Sequence, residues 1–268
     1  MREYLVVEGG GDVRWVTINR PHDRNSINSA VMVELNQLLD ELAGSGPRAV
    51  VFTGGGENYF VGGADGVEMM RLGPEEALDF SVRIQAVFDR LEAAPFITVA
   101  AINGLCFGGG FEFALACDLR VAAPAARIGL PEVKVGLIPG GGGTQRLPRL
   151  VGIGRALEMI LGGRLYKAPE AAALGLVHAA VGEGELRSGV EKLLAGVLRQ
   201  PQYALSLAKT AVYASRGRAG AEGLAVERER FSRCFEQKFF ADLMRQQLRE
   251  GLLETSADVS DITGEKSR

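Results

Sequence analysis

Cysteine, histidine and tryptophan are scarce in this sequence, with three, two and one copies in 268 residues. An odd cysteine count (Cys106, Cys117, Cys234) with no C-x-x-C argues against a disulfide framework and against a structural zinc site. The two histidines, His22 and His178, stand outside any motif, and an isolated histidine is ordinarily structural. No G-x-x-x-x-G-K-[ST], G-x-S-x-G or H-E-x-x-H is present, and no G-x-G-x-x-G opens an early βαβ unit with a downstream acid. Charge of one sign is also lacking. A net charge of −3, without a basic patch interleaved with aromatics, offers nothing to nucleic acid. Any anionic ligand must then be held by local cations or backbone amides. The one long apolar run, residues 96–117, carries Asn103, Glu112 and several glycines, so it reads as buried strand, turn and helix rather than a membrane span. The opening Met1-Arg2-Glu3-Tyr4 has neither basic flank nor apolar stretch. With the sparse cysteines, this sets the expectation of a reduced, cytoplasmic setting.

Glycine, by contrast, is plentiful at 36 residues, and it clusters. Two clusters stand out: Val61-Gly62-Gly63-Ala64-Asp65 and Phe107-Gly108-Gly109-Gly110-Phe111-Glu112. Each follows an apolar, β-like run and precedes a helix-like stretch, so each presents free N–H groups at a helix start. Facing each other, two such turns would bind one oxyanion from two sides.

Around them the chain alternates strand and helix, the pattern of an α/β fold. Residues 4–8 and 13–19 read as a hairpin across Gly9-Gly10-Gly11-Asp12. Ser29 is the expected cap of a helix over 30–43, with Val31, Leu35, Leu38, Leu39 and Leu42 as its apolar stripe. A strand is expected at 49–53. A helix carrying Leu78, Val82, Ile84, Val87, Phe88 and Leu91 should end before Pro95. Strands follow at Ile97–Ile102 and Leu119–Ala122, flanking a helix over 111–117. Residues 127–143 read as irregular, 155–161 and 169–174 as helices, and 185 onward as almost entirely helical. The stretch 231–252 reads as one amphipathic helix with Phe235, Phe239, Leu243 and Leu248 as interior or interface candidates. The polar tail 255–268 reads as poorly ordered.

Two carboxylates merit weight. Glu112 sits among Phe111, Phe113, Ala114 and Leu115, and Glu132 lies in Gly129-Leu130-Pro131-Glu132-Val133. A glutamate taken singly is ordinarily solvated or ion-paired. Beside glycine turns and without polar neighbours, the pair instead suits general acid–base work in a dry cleft.

Several segments, in order, resemble the crotonase (enoyl-CoA hydratase/isomerase) superfamily. They are Asn19-Arg20-Pro21 with Arg24-Asn25-Ser26-Ile27-Asn28; Phe60 to Asp65; Ala101-Ile102-Asn103-Gly104 with Gly108 to Glu112; and Cys117-Asp118. Pro131 to Gly140, Gly143-Thr144-Gln145-Arg146-Leu147 and Ala173-Leu174-Gly175-Leu176-Val177 continue the match, which spans roughly residues 4–185. The resemblance implies a spiral of ββα units over residues 1–198 and a helical trimerisation region over 199–268. It implies a homotrimer or hexamer, an acyl-CoA thioester as substrate, and no cofactor or metal, since CoA belongs to the substrate.

By the same resemblance, Ala64 and Gly109 N–H form the oxyanion hole, Glu112 and Glu132 are the catalytic pair, and the Gly140 backbone places the water. Arg24 and Ser26 border the nucleotide end of CoA, and Asp65 and Gly66 lie near the pantetheine path. Met69 and Met70 line the acyl pocket or else serve core packing or lie exposed. The implied activity is hydration of a 2-enoyl-CoA. Δ3,Δ2-isomerisation or another acyl-CoA reaction, and a non-catalytic acyl-CoA-binding or scaffold role, are the alternatives. The ending 254–258 departs from the basic ending usual in that family.

Overall fold

The computed structural model describes residues 2–216 and 220–250. The expected tail at 255–268 and the end of the 231–252 stretch therefore lie outside the described residues. The chain divides into two compact units, one through Gln202 and one from Tyr203 onward.

The first unit opens with the expected hairpin, β1 (Leu5–Glu8) antiparallel to β2 (Val13–Ile18), followed by α1 (Ser29–Ser45). The five stripe residues of α1 are all buried. Its cap is Asn28 rather than Ser29: the Asn28 side chain accepts from the Val31 N–H at 2.9 Å. Ser29 instead donates through its N–H to the Glu68 carboxylate.

Then one pattern recurs. A strand of a large sheet is followed by a short strand of a second sheet and by helix. The pairs are β3 (Ala49–Gly54) with β4 (Tyr59–Val61), leading to α2 (Gly66–Met69) and α3 (Pro74–Ala93); β5 (Ile97–Ile102) with β6 (Leu105–Phe107), leading to α4 (Gly109–Ala116); and β7 (Leu119–Ala122) with β8 (Arg127–Gly129), leading to α5 (Gly143–Val151) and α6 (Ile153–Gly162). Strands β3, β5 and β7 are parallel neighbours in one sheet, and β4, β6 and β8 are parallel neighbours in the other. This is the expected spiral of ββα units. Strand β9 (Tyr166–Lys167), α7 (Ala168–Ala173), β10 (Ala179–Ala180) and α8 (Leu186–Val197) complete the unit; β9 edges the small sheet and β10 the large one.

The stretch 127–143 is less irregular than its glycines suggest, because it holds β8 and a 3-10 turn at Glu132–Val135. Helix α5 is unforeseen: the stretch that reads as irregular runs to Gly143, yet the helix starts at that glycine and buries Arg146 and Leu147. On α3, Ile84, Val87, Phe88 and Leu91 are buried as expected, whereas Leu78 and Val82 are exposed.

Every residue of α4 is buried, as befits a helix apolar on all sides. Phe113 stands at its centre against Phe52, Phe60 and Phe88, with ring centroids 5.2, 6.0 and 5.7 Å away. The buried Arg120 guanidinium closes the other end of α4, donating to the carbonyls of Ala114 and Cys117. A cation there complements the helix dipole. Buried along its length and tied at this end, α4 holds whatever it carries in a fixed place.

The second unit contains α9 (Gln202–Tyr213) in its greater part, α10 (Gly220–Cys234) and α11 (Phe239–Arg249). The expected single helix over 231–252 is thus interrupted. Phe235 lies in the break, and Phe235, Phe239 and Leu243 are exposed. Among the described residues, no helix is long and apolar enough to cross a membrane.

Candidate active site

Beyond β4 the chain runs alongside Ile27. The Gly63 carbonyl accepts from Ile27 N–H, and Asp65 N–H donates to the Ile27 carbonyl, each at 2.9 Å. Successive amides of extended chain face opposite ways, so the intervening Ala64 N–H points away from Ile27. Gly63 has φ +98°, a conformation open to glycine and costly for other residues. The second turn repeats the device. Gly108, at φ +56°, precedes Gly109, the first residue of α4, whose N–H has no carbonyl a turn earlier to bond. The two donors are close neighbours: a Cβ built on Gly109 would lie 3.0 Å from Ala64 N. Glycine at 109 keeps the gap open, and the positive end of α4 adds to its attraction for an anion.

One turn into α4, Glu112 is 2% exposed. Its Oε1 accepts from the N–H groups of Gly141 (2.8 Å) and Gly143 (2.7 Å). The glycines are needed for room, since a Cβ at 141 would come within 2.6 Å of Oε2. Burial raises the Glu112 pKa above the usual carboxylate value, while the two amides and the Arg146 charge act to lower it.

Glu132 opens the 3-10 turn and is in the opposite condition. Both carboxyl oxygens are shielded from solvent and, among the described residues, accept from no other side chain or backbone group. Burial pushes its pKa up to about 7; its own backbone N–H counters this, and the charge of Glu112 adds to it. Its Oε1 lies 3.4 Å from where a Cβ on Gly108 would stand, next to the residue whose N–H opens α4. The pair therefore sets a carboxyl that accepts from two amides beside one whose pKa is raised to about 7, near the Ala64 and Gly109 N–H groups. Such a set suits chemistry in which negative charge builds on a carbonyl oxygen while protons move.

The remaining expected residues are placed as follows. Gly140 is exposed, with its carbonyl accepting from Ser81 and Gln85. Arg24 is exposed at φ +59°. Ser26 is buried, with its hydroxyl bonded to Arg20 and Asp65. Asp65 caps α2 through Val67 and Glu68 N–H and pairs with Arg20, so its side chain is occupied structurally. Gly66 opens α2 with free space around it. Met69 packs against the core, whereas Met70 is 80% exposed. His178 accepts from Arg120 N–H through Nδ1, a structural role. Sequence reasoning missed Gly141, Gly143 and Arg146. The glycine run before Thr144-Gln145-Arg146 was the available signal, but nothing local in it names Glu112 as its acceptor.

The model of the enoyl-CoA hydratase/isomerase family matches residues 8–251. A short-chain-enoyl-CoA hydratase of Clostridium acetobutylicum is 39% identical over 90% of this chain and 92% of its own length. A crotonyl-CoA hydratase of Syntrophomonas wolfei is 36% identical over 87% and 90%. Among solved structures, an enoyl-CoA hydratase from Bacillus anthracis superposes with a TM-score of 0.86 at 34% identity, covering 93% of this chain and 97% of that one.

Proposed function

The chain belongs to the enoyl-CoA hydratase/isomerase family, and we propose that it is an enoyl-CoA hydratase, adding water to a 2-enoyl-CoA to give the 3-hydroxyacyl-CoA. The observation that carries the reading is that Glu112 and Glu132 lie beside the Ala64 and Gly109 amides, with Glu112 accepting from two loop N–H groups and Glu132 from no other described residue. Glu112, its anion supported by Gly141 and Gly143 N–H, takes a proton from water as the oxygen attacks C3. Glu132 delivers the proton to C2. Between the two events the thioester oxygen carries enolate charge, and the Ala64 and Gly109 N–H groups receive it. One such donor is worth about 3–4 kcal/mol in the transition state. No cofactor enters the reaction. The Gly140 backbone, next to the amide on Glu112, is proposed to place the water.

For the substrate's remote part, the exposed Arg24 guanidinium and the Ser26 backbone are proposed to border the nucleotide end of CoA. Asp65 and Gly66 are assigned to the pantetheine path through their backbone, and Met69 to the acyl pocket. We further propose a homotrimer or hexamer in a reducing, cytoplasmic setting. Supporting the assembly is an apolar surface on α6: Ile153, Leu157 and Leu161 recur every four residues, exposed by 72, 52 and 68%. Val135, in the 3-10 turn packed against α6, is exposed as well.

Crotonyl-CoA hydration tests the reading. Glu112→Gln and Glu132→Gln should each lower kcat by about 10²–10⁴-fold. Wild-type rates in both variants would overturn it.

A further inference from the structure

The glycine loop that supports Glu112 is itself held by one face of α3. Ser81, Gln85, Asp89 and Glu92 recur at intervals of four, four and three, which aligns them along a single helix side. Ser81 Oγ and Gln85 Nε2 both donate to the Gly140 carbonyl at 2.7 Å. That carbonyl belongs to the same peptide unit as the Gly141 N–H that donates to Glu112 Oε1. Farther along, Asp89 and Glu92 accept from Arg146 at 2.6 and 2.7 Å, and Arg146 Nη1 donates to the Gly141 carbonyl at 3.0 Å.

From this geometry we infer that Ser81 and Gln85 are positioning residues for catalysis, gripping the 140–141 peptide by its carbonyl so that its N–H stays aimed at the Glu112 carboxylate. Donors on a peptide's oxygen also polarise it, which strengthens its N–H as a donor. Arg146 secures the following peptide in the same way. Without the grip, glycines at 140 to 143 have little to resist rotation of the 140–141 peptide. The inference rests on Glu112 as the base.

The test uses the Ser81→Ala/Gln85→Leu double variant of the full chain. Neither side chain is in the core, so thermal melting should be near that of wild type. On crotonyl-CoA, kcat should fall between about tenfold and a hundredfold, as for a misplaced catalytic group, with KM within about threefold of wild type. The charged groups facing Glu112 are Glu132 and Arg146, with Asp89 and Glu92 behind Arg146, and all remain in this variant. The acid limb of the pH–rate profile should therefore move upward solely because the Glu112 anion has lost part of its amide support. Ser81→Thr, which keeps the hydroxyl, should retain most of the rate. Arg146→Lys provides a second readout, and a fall in its kcat at unchanged KM is expected. A double variant with wild-type kcat and acid limb would overturn the inference. Glu112→Gln, measured alongside, separates the two ideas. If it loses activity while the double variant does not, only the α3 grip fails; if it keeps wild-type activity, the base assignment fails and the inference with it.

Discussion

Glu112 and Glu132 have the same side chain and differ in what surrounds them. Two amides and a nearby guanidinium oppose the burial of Glu112, whereas Glu132 has only its own N–H and a neighbouring anion. With a pKa of about 7 against the ordinary 4.5, Glu132 binds its proton more tightly in the folded state than in the unfolded chain. Stability should thus decline as pH rises through that window. The cost above it is at most about 3 kcal/mol, lessened because the side chain is not fully enclosed. Glu132→Gln should then raise the melting temperature at pH 8 and leave it almost unchanged at pH 4.5, in calorimetry at both values. The same titration should make kcat/KM fall as pH climbs past about 7, a limb missing from the Gln variant. Gly109→Ala is a cleaner probe of the oxyanion hole. A Cβ 3.0 Å from Ala64 N and 3.4 Å from the Gly63 carbonyl carbon makes that backbone shift, which should cut kcat by about 10²–10³-fold, with circular dichroism checking that the fold is kept. The two acids were legible because a glutamate in an apolar run needs a reason to be there. Gly141 and Gly143 were not, because their acceptor lies about thirty residues away.

Helices and strands were read best where one face meets the core. The stripe on α1 matched its burial residue for residue. The cap was displaced by one position because Asn28 and Ser29 are both good caps, and the choice fell to the contact between Ser29 and Glu68. Asn28→Ala should therefore destabilise the protein by about 1 kcal/mol, measured by denaturant unfolding, whereas Ser29 loses no capping bond on substitution. Helix α5 escaped notice since its propensities are poor, and only packing of Arg146 and Leu147 accounts for it. Leu78 and Val82 looked like core on α3 because hydrophobic character marks candidates for burial without naming the partner that buries them.

At the scale of the whole molecule, the large exposed apolar side chains on α6 and beside it call for a partner surface. Leu157→Glu with Ile153→Glu should turn an assembled species into a smaller one in light scattering, with far-ultraviolet circular dichroism retained. An unchanged mass would remove this face from the proposed interface. Sequence alone was enough to establish the α/β class, the recurring units and the family, and to single out the two acids as candidates, because apolar periodicity, glycine placement and motif order are local properties written along the chain. It could not establish which N–H groups support which carboxylate, nor that burial lifts the Glu132 pKa to about 7 while two amides and Arg146 oppose the burial of Glu112. Those depend on burial and on charges brought together from α3, α4, the 132–135 turn and the 140–146 loop, and only the folded chain sets such distances.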